Sequence, residues 1–253
     1  MMLKDKIAVI YGAAGGLGTA IARSFIREGA TVHLVGRNID KLKAIEPGRA
    51  QVAQVDALDE KAIASHLESL PRVDVSVNAI GVPNTGILGV PLAQIERAHF
   101  EQALTSYLTT YFLTARHAAR RMIAQKSGVI MTLTALHSRM GLPLVGGYGP
   151  AMAAKEALTR DLSVELAPHG IRVVGLRPQA VPESATIRDA FEARRAAVGM
   201  TWEQWKDVLA SRTHGKRLMT LDEVADTAAF VASDRGSGFT GTTLNLTMGS
   251  LDD

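Results

Sequence analysis

Short apolar runs recur along this chain, and longer stretches with helical spacing of apolar residues separate them. Seven of the runs have the length and the β-branched content of buried strands. They lie at residues 7–10, 31–35, 51–55, 73–77, 128–134, 171–176 and 243–246. Strands that alternate with helices at this spacing imply right-handed crossovers, and therefore a parallel sheet with helices on both faces. The pattern predicts an α/β fold built on a doubly wound parallel sheet.

Helical signals fit the same organisation. Two long helices are predicted at residues 100–122 and 147–167, and a further helix is predicted to begin at Thr220, which has capping-box spacing with Glu223. The chain has 253 residues, and no stretch rich in Pro, Ser or Gly could serve as a linker. We therefore predict a single domain over residues 1–253.

Composition excludes several classes of protein. Hydrophobic residues make up 47% of the chain, but the longest apolar runs are well short of the roughly 18 residues that span a bilayer. The first six residues are too charged for a signal peptide, so a cytoplasmic location without a membrane anchor is expected. The chain has no cysteine, which excludes disulfides, thiolate metal sites and a cysteine nucleophile.

The charge balance argues against nucleic acid as a partner, because the net charge is only +3 and no basic run alternates with aromatic residues. The seven histidines lack ligand spacing such as H-x-x-x-H, so no metal site is predicted. Positive residues outnumber negative ones between residues 188 and 217. This excess is typical of a solvated helical face, and an anionic small-molecule substrate is the alternative.

A glycine-rich turn follows the first predicted strand. Gly12, Gly16 and Gly18 lie between that strand and a segment with helical spacing. Glycine permits positive φ angles and lets the backbone approach a pyrophosphate, which the positive end of the helix dipole also attracts. The turn predicts a nucleotide-binding site, with a glycine turn that binds no ligand as the alternative.

The spacing G-x-x-x-G-x-G of this turn resembles that of the short-chain dehydrogenase/reductase family. The stretch Asn78-Ala79-Ile80-Gly81 is similar to the family's N-N-A-G turn, and residues 128–166 match the family pattern without a gap. The resemblance covers nearly the whole chain and implies a Rossmann-type fold that binds a nicotinamide dinucleotide. The positions that it assigns to cofactor binding are Gly12, Ala14, Gly16, Leu17, Gly18, Arg37, Asn38, Asp56, Ala57, Asn78, Gly81, Tyr148 and Pro178.

The choice of cofactor depends on the end of the second strand. There the sequence is Gly36-Arg37-Asn38, without the acidic residue that would accept hydrogen bonds from the adenine ribose. The planar guanidinium of Arg37 suits a 2′-phosphate, and a surface arginine is the alternative. We therefore predict NADP(H) as the cofactor in preference to NAD. Asp56 is expected to accept a hydrogen bond from the adenine amine.

The resemblance implies a catalytic set of Asn, Ser, Tyr and Lys, of which only the tyrosine is present, as Tyr148. The serine position is Ala135, the lysine position is Met152 and the asparagine position is Tyr107. In the family the lysine lowers the tyrosine pKa toward neutrality and holds the nicotinamide ribose, and methionine does neither. A neutral Tyr148 can still donate a proton during reduction, but it is a poor base for alcohol oxidation.

Three residues are candidate substitutes for the missing polar groups. Lys155 lies seven residues after Tyr148, on the same helical face but about one turn further along the axis than the usual lysine. The enoyl reductase branch of the family has this spacing, although there the tyrosine is the displaced residue. A solvent-facing lysine is the alternative for Lys155. His137 and Tyr107 are the other candidates, with a structural histidine and a packed aromatic ring as the alternatives.

Residues 182–217 correspond to the segment that closes over the substrate in the family. Trp202, Trp205 and Leu209 recur in it at helical spacing, either as a pocket wall or as the packing face of a helix. The two long helices usually pair across a two-fold axis in the family, so a homodimer or homotetramer is expected.

Together these features predict an NADP(H)-dependent oxidoreductase that acts on a carbonyl or alcohol of a small molecule. Its active site is atypical, so weak activity is expected. Two alternatives stay open: a catalytically silent NADP(H)-binding regulatory protein, and double-bond reduction like that of the enoyl reductases.

Overall fold

Seven parallel strands form one sheet in the computed structural model, which describes residues 1–46, 49–81 and 87–252. The strands are β1 (Ile7–Tyr11), β2 (Thr31–Gly36), β3 (Gln51–Gln54), β4 (Val75–Asn78), β5 (Gly128–Leu133), β6 (Ile171–Pro178) and β7 (Thr242–Leu246). Each predicted strand is present, with ends that lie within two residues of the prediction. The predicted parallel α/β sheet is therefore confirmed.

The strand order is β3-β2-β1-β4-β5-β6-β7, so the chain crosses to the other half of the sheet between β3 and β4. β1 and β4 are neighbours, with Tyr11 in register with Asn78. At such a reversal of strand order the connections leave on opposite sides of the sheet and open a crevice at the carboxyl ends, where α/β proteins bind ligands. The topology therefore places the glycine turn and Asn78 on the two sides of this crevice.

The described part of the chain contains ten α-helices. They are α1 (Gly16–Arg27), α2 (Ile39–Lys43), α3 (Glu60–Glu68), α4 (Arg97–Leu104), α5 (Thr110–Gln125), α6 (Tyr148–Leu166), α7 (Ala185–Glu192), α8 (Arg195–Val198), α9 (Trp202–Ser211) and α10 (Leu221–Ala232). The capping box forms as predicted, because the Glu223 N–H donates to Thr220 Oγ1 at 3.2 Å and the Thr220 N–H donates to Glu223 Oε2 at 2.9 Å. None of the described helices is long and apolar enough to cross a membrane.

Side chains that point alternately to the two faces of the sheet produce two packed layers. In β1, Ile10 faces a core shared with α1 and α10, whereas Val9 faces a core shared with α3, α5 and α6. Both side chains are fully buried. Successive side chains of a strand point to opposite faces, so a strand that is buried on both faces needs a continuous apolar run. This requirement explains why the central strands β1, β2, β4, β5 and β6 could be located in the sequence.

The helix predicted at residues 100–122 is interrupted near its start. α4 ends at Leu104, and one π-helical turn, Thr105–Thr109, separates it from α5. The hydroxyl of Thr110 donates to the Ser106 carbonyl oxygen at 2.6 Å, which stabilises the wider turn. Single π-turns within helices occur frequently at functional sites. Tyr107, at the family's asparagine position, lies in this turn.

Candidate active site

A cavity of about 860 Å³ runs along the carboxyl ends of the strands. Gly12, Arg37 and Asp56 line the part that follows β1, β2 and β3, and we call this part the cofactor end. Tyr148 at the start of α6 and Trp205 in α9 line the other part, which we call the substrate end. The volume of the whole cavity is within the range of small-molecule and cofactor sites.

Steric crowding fixes the glycine turn at the cofactor end. Gly12 has a φ of +75°, and a Cβ there would lie 2.7 Å from the carbonyl oxygen of Ala79. A Cβ at Gly18 would collide with the Gly12 carbonyl. α1 begins at Gly16, so its first N–H groups point toward the cavity, where they suit a pyrophosphate. The turn therefore fits the dinucleotide that the sequence predicts.

Most of the predicted cofactor-binding residues surround the cavity. Those that line it are Gly12, Ala14, Gly16, Leu17, Arg37, Asn38, Asp56, Ala57, Gly81, Tyr148 and Pro178. Gly18 and Asn78 are buried behind them, and Asn78 Nδ2 donates to the Thr114 hydroxyl at 3.2 Å. Gly18 and Asn78 are therefore placed to support the site, whereas the residues that line the cavity are placed to contact a ligand.

Two cations line the cavity where the sequence predicts recognition of a 2′-phosphate. Arg37 is exposed, and none of the described acidic side chains forms an ion pair with it. Lys41 in α2 lines the same wall; it was not predicted, although it lies four residues after Arg37 across a helix start. Asn38 caps α2, since its Oδ1 accepts from the Lys41 N–H at 3.0 Å. The cap therefore fixes the backbone between the two cations.

Tyr148 supplies the ionisable hydroxyl at the start of α6. Its ring lies edge-on to the rings of Tyr107 and His137, with centroid distances of 5.3 Å and 5.2 Å. Burial raises the pKa of Tyr148 well above its usual value, Tyr107 raises it further, and the positive charge of Arg194 opposes the change. The phenol is therefore protonated at neutral pH, so that it can donate a proton but is a poor acceptor of one.

The three positions that differ from the family pattern converge on Tyr148. Ala135, Met152 and Tyr107 form one buried apolar cluster, against which the Tyr148 ring packs. The family pattern would place a hydroxyl, an ammonium and an amide at these positions. The cluster presents a methyl group, a thioether and a phenol ring instead, so Ala135 and Met152 supply no charge or hydrogen bond to tune Tyr148.

Lys155 is buried, so the alternative of a solvent-facing lysine is wrong. The residue is only 1% exposed, and its Nζ donates to the Leu133 carbonyl oxygen at 2.8 Å and to Asn78 Oδ1 at 3.4 Å. Burial lowers the pKa of Lys155 to about 7. Lys155 is buried because its position, like that of Met152, lies on the inward face of α6. Lys155 therefore ties the end of β5 to the end of β4.

His137 lies in a short 3-10 turn, Leu136–Ser138, and lines the substrate end. Its Nδ1 is buried and has no hydrogen-bond partner among the described residues. Burial and, to a smaller extent, the charge of Arg194 lower the pKa of His137 to about 4. The imidazole is therefore neutral at neutral pH, with a ring nitrogen available to a ligand.

A buried ion pair, which was not predicted from the sequence, fixes the segment after β5. Glu156 accepts hydrogen bonds from Arg177 Nε and Nη2, each at 2.8 Å. It also accepts from Ser138 at 2.6 Å and from Thr134 at 3.0 Å. Burial acts to raise the pKa of Glu156, but the hydrogen bonds from Arg177 and Ser138 outweigh it and hold the pKa below its usual value. The Thr134 hydroxyl is thus engaged by Glu156 and does not replace the missing serine.

The segment 182–217 contains α7, α8 and α9 and forms a wall of the substrate end. Trp205 is buried and lines the cavity together with Leu209. Trp202 stacks on Trp205 at a centroid distance of 5.4 Å. Both expectations for these three residues are therefore partly right, because two form a pocket wall and the third packs behind them. Arg194 also enters the cavity from this segment.

Comparisons with known proteins agree with this geometry. A family model described as Enoyl-(Acyl carrier protein) reductase matches residues 12–250. An uncharacterized oxidoreductase of Bacillus subtilis (strain 168) is 30% identical over 252 residues, which cover 94% of this chain and 95% of that protein. Gluconate 5-dehydrogenase of Gluconobacter oxydans (strain 621H) is 25% identical over 247 residues, which cover 94% of this chain and 91% of that protein.

Solved structures show the same relationship. A gluconate 5-dehydrogenase from Burkholderia cenocepacia J2315, in complex with NADP and tartrate, is 26% identical with a TM-score of 0.85, covering 99% of this chain and 97% of that one. Sorbitol-6-phosphate 2-dehydrogenase from Erwinia amylovora is 25% identical with a TM-score of 0.88, covering 97% of this chain and 100% of that one. With a family model matched over residues 12–250 and relatives similar over nearly their whole length, the chain belongs to the short-chain dehydrogenase/reductase family.

Proposed function

We propose that this protein is an NADP(H)-dependent oxidoreductase that reduces the carbonyl group of a small molecule, with Tyr148 as the proton donor. The observation that carries the proposal is that one cavity joins Tyr148 to the glycine turn and to Arg37. A cofactor and a substrate that share this cavity meet at Tyr148. NADPH supplies a hydride when it is bound. The chain supplies the proton and the orientation of the reacting groups.

Charge at the cofactor end supports NADP(H) over NAD. Arg37 and Lys41 line the wall beyond β2, and residue 36 is a glycine without a carboxylate. Charge-assisted hydrogen bonds from these cations favour a 2′-phosphate, whereas an acidic residue would repel it. The related Burkholderia enzyme was solved with NADP.

The protonation state of Tyr148 supports reduction as the direction of the reaction. Burial holds the pKa of Tyr148 far above neutrality, and none of the described lysines lowers it, because Lys155 donates to Leu133 and Asn78 instead. His137, neutral and edge-on to Tyr148, is the group that we assign to the substrate carbonyl oxygen in place of the missing serine. Tyr107 packs on Tyr148 as a positioning residue.

Double-bond reduction is the weaker candidate. The matched family model carries the enoyl reductase description, and Lys155 has the seven-residue spacing from Tyr148. However, the Lys155 ammonium is directed to the ends of β4 and β5. An enone is therefore included among the test substrates, and faster turnover of the enone than of ketones would favour this candidate.

The substrate that we propose is small and anionic. The names of two related enzymes include gluconate and sorbitol-6-phosphate, and the Burkholderia structure contains tartrate. Each of these molecules carries a carboxylate or a phosphate. In the present chain Arg194 brings a positive charge to the substrate end.

We also propose that the protein is a homodimer or homotetramer. The helices that are expected to pair expose apolar side chains, with Phe112 of α5 39% exposed and Val164 of α6 78% exposed. Burial of such residues against a second copy would be favourable. Light scattering should give two or four chains per particle, and Val164→Glu should reduce that number if α6 forms the contact. A monomeric wild type would contradict the proposal.

Fluorescence titration of NADPH and NADH tests the cofactor. Charge-assisted contacts to the 2′-phosphate should make NADPH bind about 10- to 100-fold more tightly than NADH. Arg37→Ala should remove most of that preference, whereas Arg97→Ala, which breaks a surface pair with Glu101, should not change it. Equal affinities for the two cofactors in the wild type would contradict the proposal.

Reduction of a panel of ketones, oxo acids and an enone with NADPH tests the chemistry. Weak oxidation of NADPH is expected, and it should disappear in Tyr148→Phe. Unchanged rates in Tyr148→Phe would mean that another group donates the proton. Tight NADPH binding with no turnover of any compound in the panel would support the catalytically silent alternative.

A further inference from the structure

Arg194 enters the substrate end of the cavity from the segment between α7 and α8. The side chain is partly buried, its Nε donates to the Ala190 carbonyl oxygen at 3.1 Å, and its guanidinium carbon lies 5.8 Å from the centroid of the Trp205 ring. Within residues 1–46, 49–81 and 87–252, no carboxylate forms an ion pair with this guanidinium. Its two NH₂ groups therefore have hydrogen-bonding capacity for a ligand.

Two neighbouring cations of the same segment, Arg195 and Lys206, differ from Arg194 in this respect. Arg195 pairs with Glu192 at 3.4 Å, and Lys206 pairs with Glu203 at 2.6 Å, each with a solvent-exposed partner. A partly buried guanidinium without a counterion carries a desolvation cost, and burial lowers the pKa of Arg194 accordingly. An anion bound in the cavity would remove that cost. Arg194, in contrast to Arg195 and Lys206, is therefore placed to bind an anion in the cavity.

The position of Arg194 connects this charge to the reacting groups. Burial is the main cause of the low pKa of His137, and the positive charge of Arg194 lowers it further. The same charge acts to lower the pKa of Tyr148, against the burial that raises it. We propose that Arg194 binds the carboxylate of a small oxo acid whose carbonyl group lies against Tyr148. The carboxylate contact follows from the surroundings of Arg194, and the placement of the carbonyl group rests on the proposed function.

The surroundings of Arg194 favour a carboxylate on a short carbon chain. A guanidinium presents two parallel N–H groups that match the two oxygens of a carboxylate. Trp205 and Leu209 form apolar walls beside it, which exclude water and strengthen an ion pair. Asp189 and Arg212 also line the cavity, but both are exposed to solvent, where water and salt screen their opposite charges.

Binding can be measured without turnover, because both tryptophans of the chain lie in α9 and Trp205 contacts Arg194. The protein is saturated with NADP⁺, so that no reduction occurs. It is then titrated with 2-oxopentanoate, with 4-oxopentanoate and with the methyl ester of each acid. Tryptophan fluorescence reports binding, and calorimetry repeats the measurement independently. At least one acid should bind roughly tenfold or more tightly than its ester, because the ester lacks the charge-assisted contacts.

Variants assign this preference to a residue. Arg194→Gln should equalise the acid and its ester, whereas Arg195→Gln, which removes the adjacent paired arginine, should keep the wild-type preference. Arg194→Lys should retain the charge, lose the two-pronged contact and keep part of the preference, and it decides the question if Arg194→Gln does not fold. Equal affinities of acid and ester, no binding of any of the four compounds, or an unchanged preference in the Arg194 variants would overturn the inference.

The outcome is distinguishable from a failure of the proposed function. Arg194-dependent binding of an acid that is never reduced would leave the anion site standing and contradict the reductase. Conversely, Tyr148-dependent reduction of ketones with equal binding of acids and esters would support the reductase and contradict the anion site.

Discussion

The two ends of the cavity differ in what determines their residues. At the cofactor end the path of the backbone determines them, because a Cβ on Gly12 would lie 2.7 Å from the Ala79 carbonyl oxygen. At the substrate end Ala135, Met152 and Tyr107 pack into an apolar cluster. The fold needs side chains of suitable volume there, and it does not need a hydroxyl or an ammonium.

This difference means that a fold can keep its nucleotide site while the chemistry beside it changes. Loss of a glycine at the turn would distort the backbone itself. Loss of a catalytic serine or lysine leaves the backbone in place and removes side-chain interactions with the substrate, with Tyr148 and, for the lysine, with the nicotinamide ribose. Buried polar groups need hydrogen-bond partners, so an apolar replacement can even favour stability. Folding and activity of this protein therefore have to be tested separately.

Restoring polar side chains at the substrate end is the most demanding test of this comparison between the two ends of the cavity. In Ala135→Ser with Met152→Lys, the serine adds a donor for the carbonyl oxygen, and the lysine adds a positive charge that lowers the pKa of Tyr148. If only side-chain chemistry is missing, kcat/KM for an activated ketone with NADPH should rise by about 10²–10⁴. The new lysine is compatible with Lys155, whose pKa of about 7 lets it lose its proton.

The matched control is Ala135→Ser with Met152→Leu, which restores the hydroxyl without the charge. It should gain much less activity than the variant with lysine. No gain in Ala135→Ser with Met152→Lys, with NADPH binding and thermal unfolding retained, would show that the backbone of the substrate end also departs from a working site. The two ends would then differ in architecture as well as in chemistry.

The glycine turn provides the next largest effect. Gly12→Ala adds a Cβ close to backbone atoms at a positive φ, and the overpacking and the left-handed conformation together should lower the free energy of unfolding by about 2–5 kcal/mol. NADPH binding should be lost as well. Gly238→Ala is the control, because a Cβ there meets no atom within 4 Å. If urea unfolding and NADPH titration gave equal results for the two variants, the backbone would not determine the cofactor end.

The cofactor end could be predicted from the sequence because neighbouring residues encode it. The strand, the glycine spacing and the helix follow one another within about twenty residues, and Arg37 ends the next strand. Lys41 was missed because its approach to the same wall depends on how the short helix α2 packs. The π-turn Thr105–Thr109 was missed for a related reason, since its residues also fit a regular helical pattern.

The substrate end was predictable in position but not in environment. Ungapped spacing correctly brought Ala135 and Met152 next to Tyr148. Charge alone suggested that Lys155 faces solvent, whereas the inward face of α6 and the carbonyl oxygen of Leu133 provide a buried place for it. In the segment 182–217, counting charges could not separate Arg194 from its paired neighbours, because that distinction depends on burial and partners in the folded chain.

Lys155 should make stability depend on pH, because it is a buried amine that donates to Asn78 and to the Leu133 carbonyl oxygen and so joins the ends of β4 and β5. Burial lowers the folded-state pKa of Lys155 to about 7, whereas an unfolded lysine titrates near pH 10.4. Between these values the unfolded chain binds more protons, so the free energy of unfolding rises with pH by at most about 1.4 kcal/mol per unit. Below about pH 7 both states are protonated, and this contribution is constant.

Lys155→Met should therefore flatten the rise of stability with pH between about pH 7 and pH 10, as measured by urea unfolding at intervals across this window. Histidines with a pKa lowered by burial change protonation below the window, and the buried tyrosines do so above it. Lys61→Met removes an exposed lysine of α3 and should leave the slope as in the wild type. If Lys155→Met kept the wild-type slope, the amine would have to be hydrated in the folded protein, and it could not join β4 to β5 as a buried group.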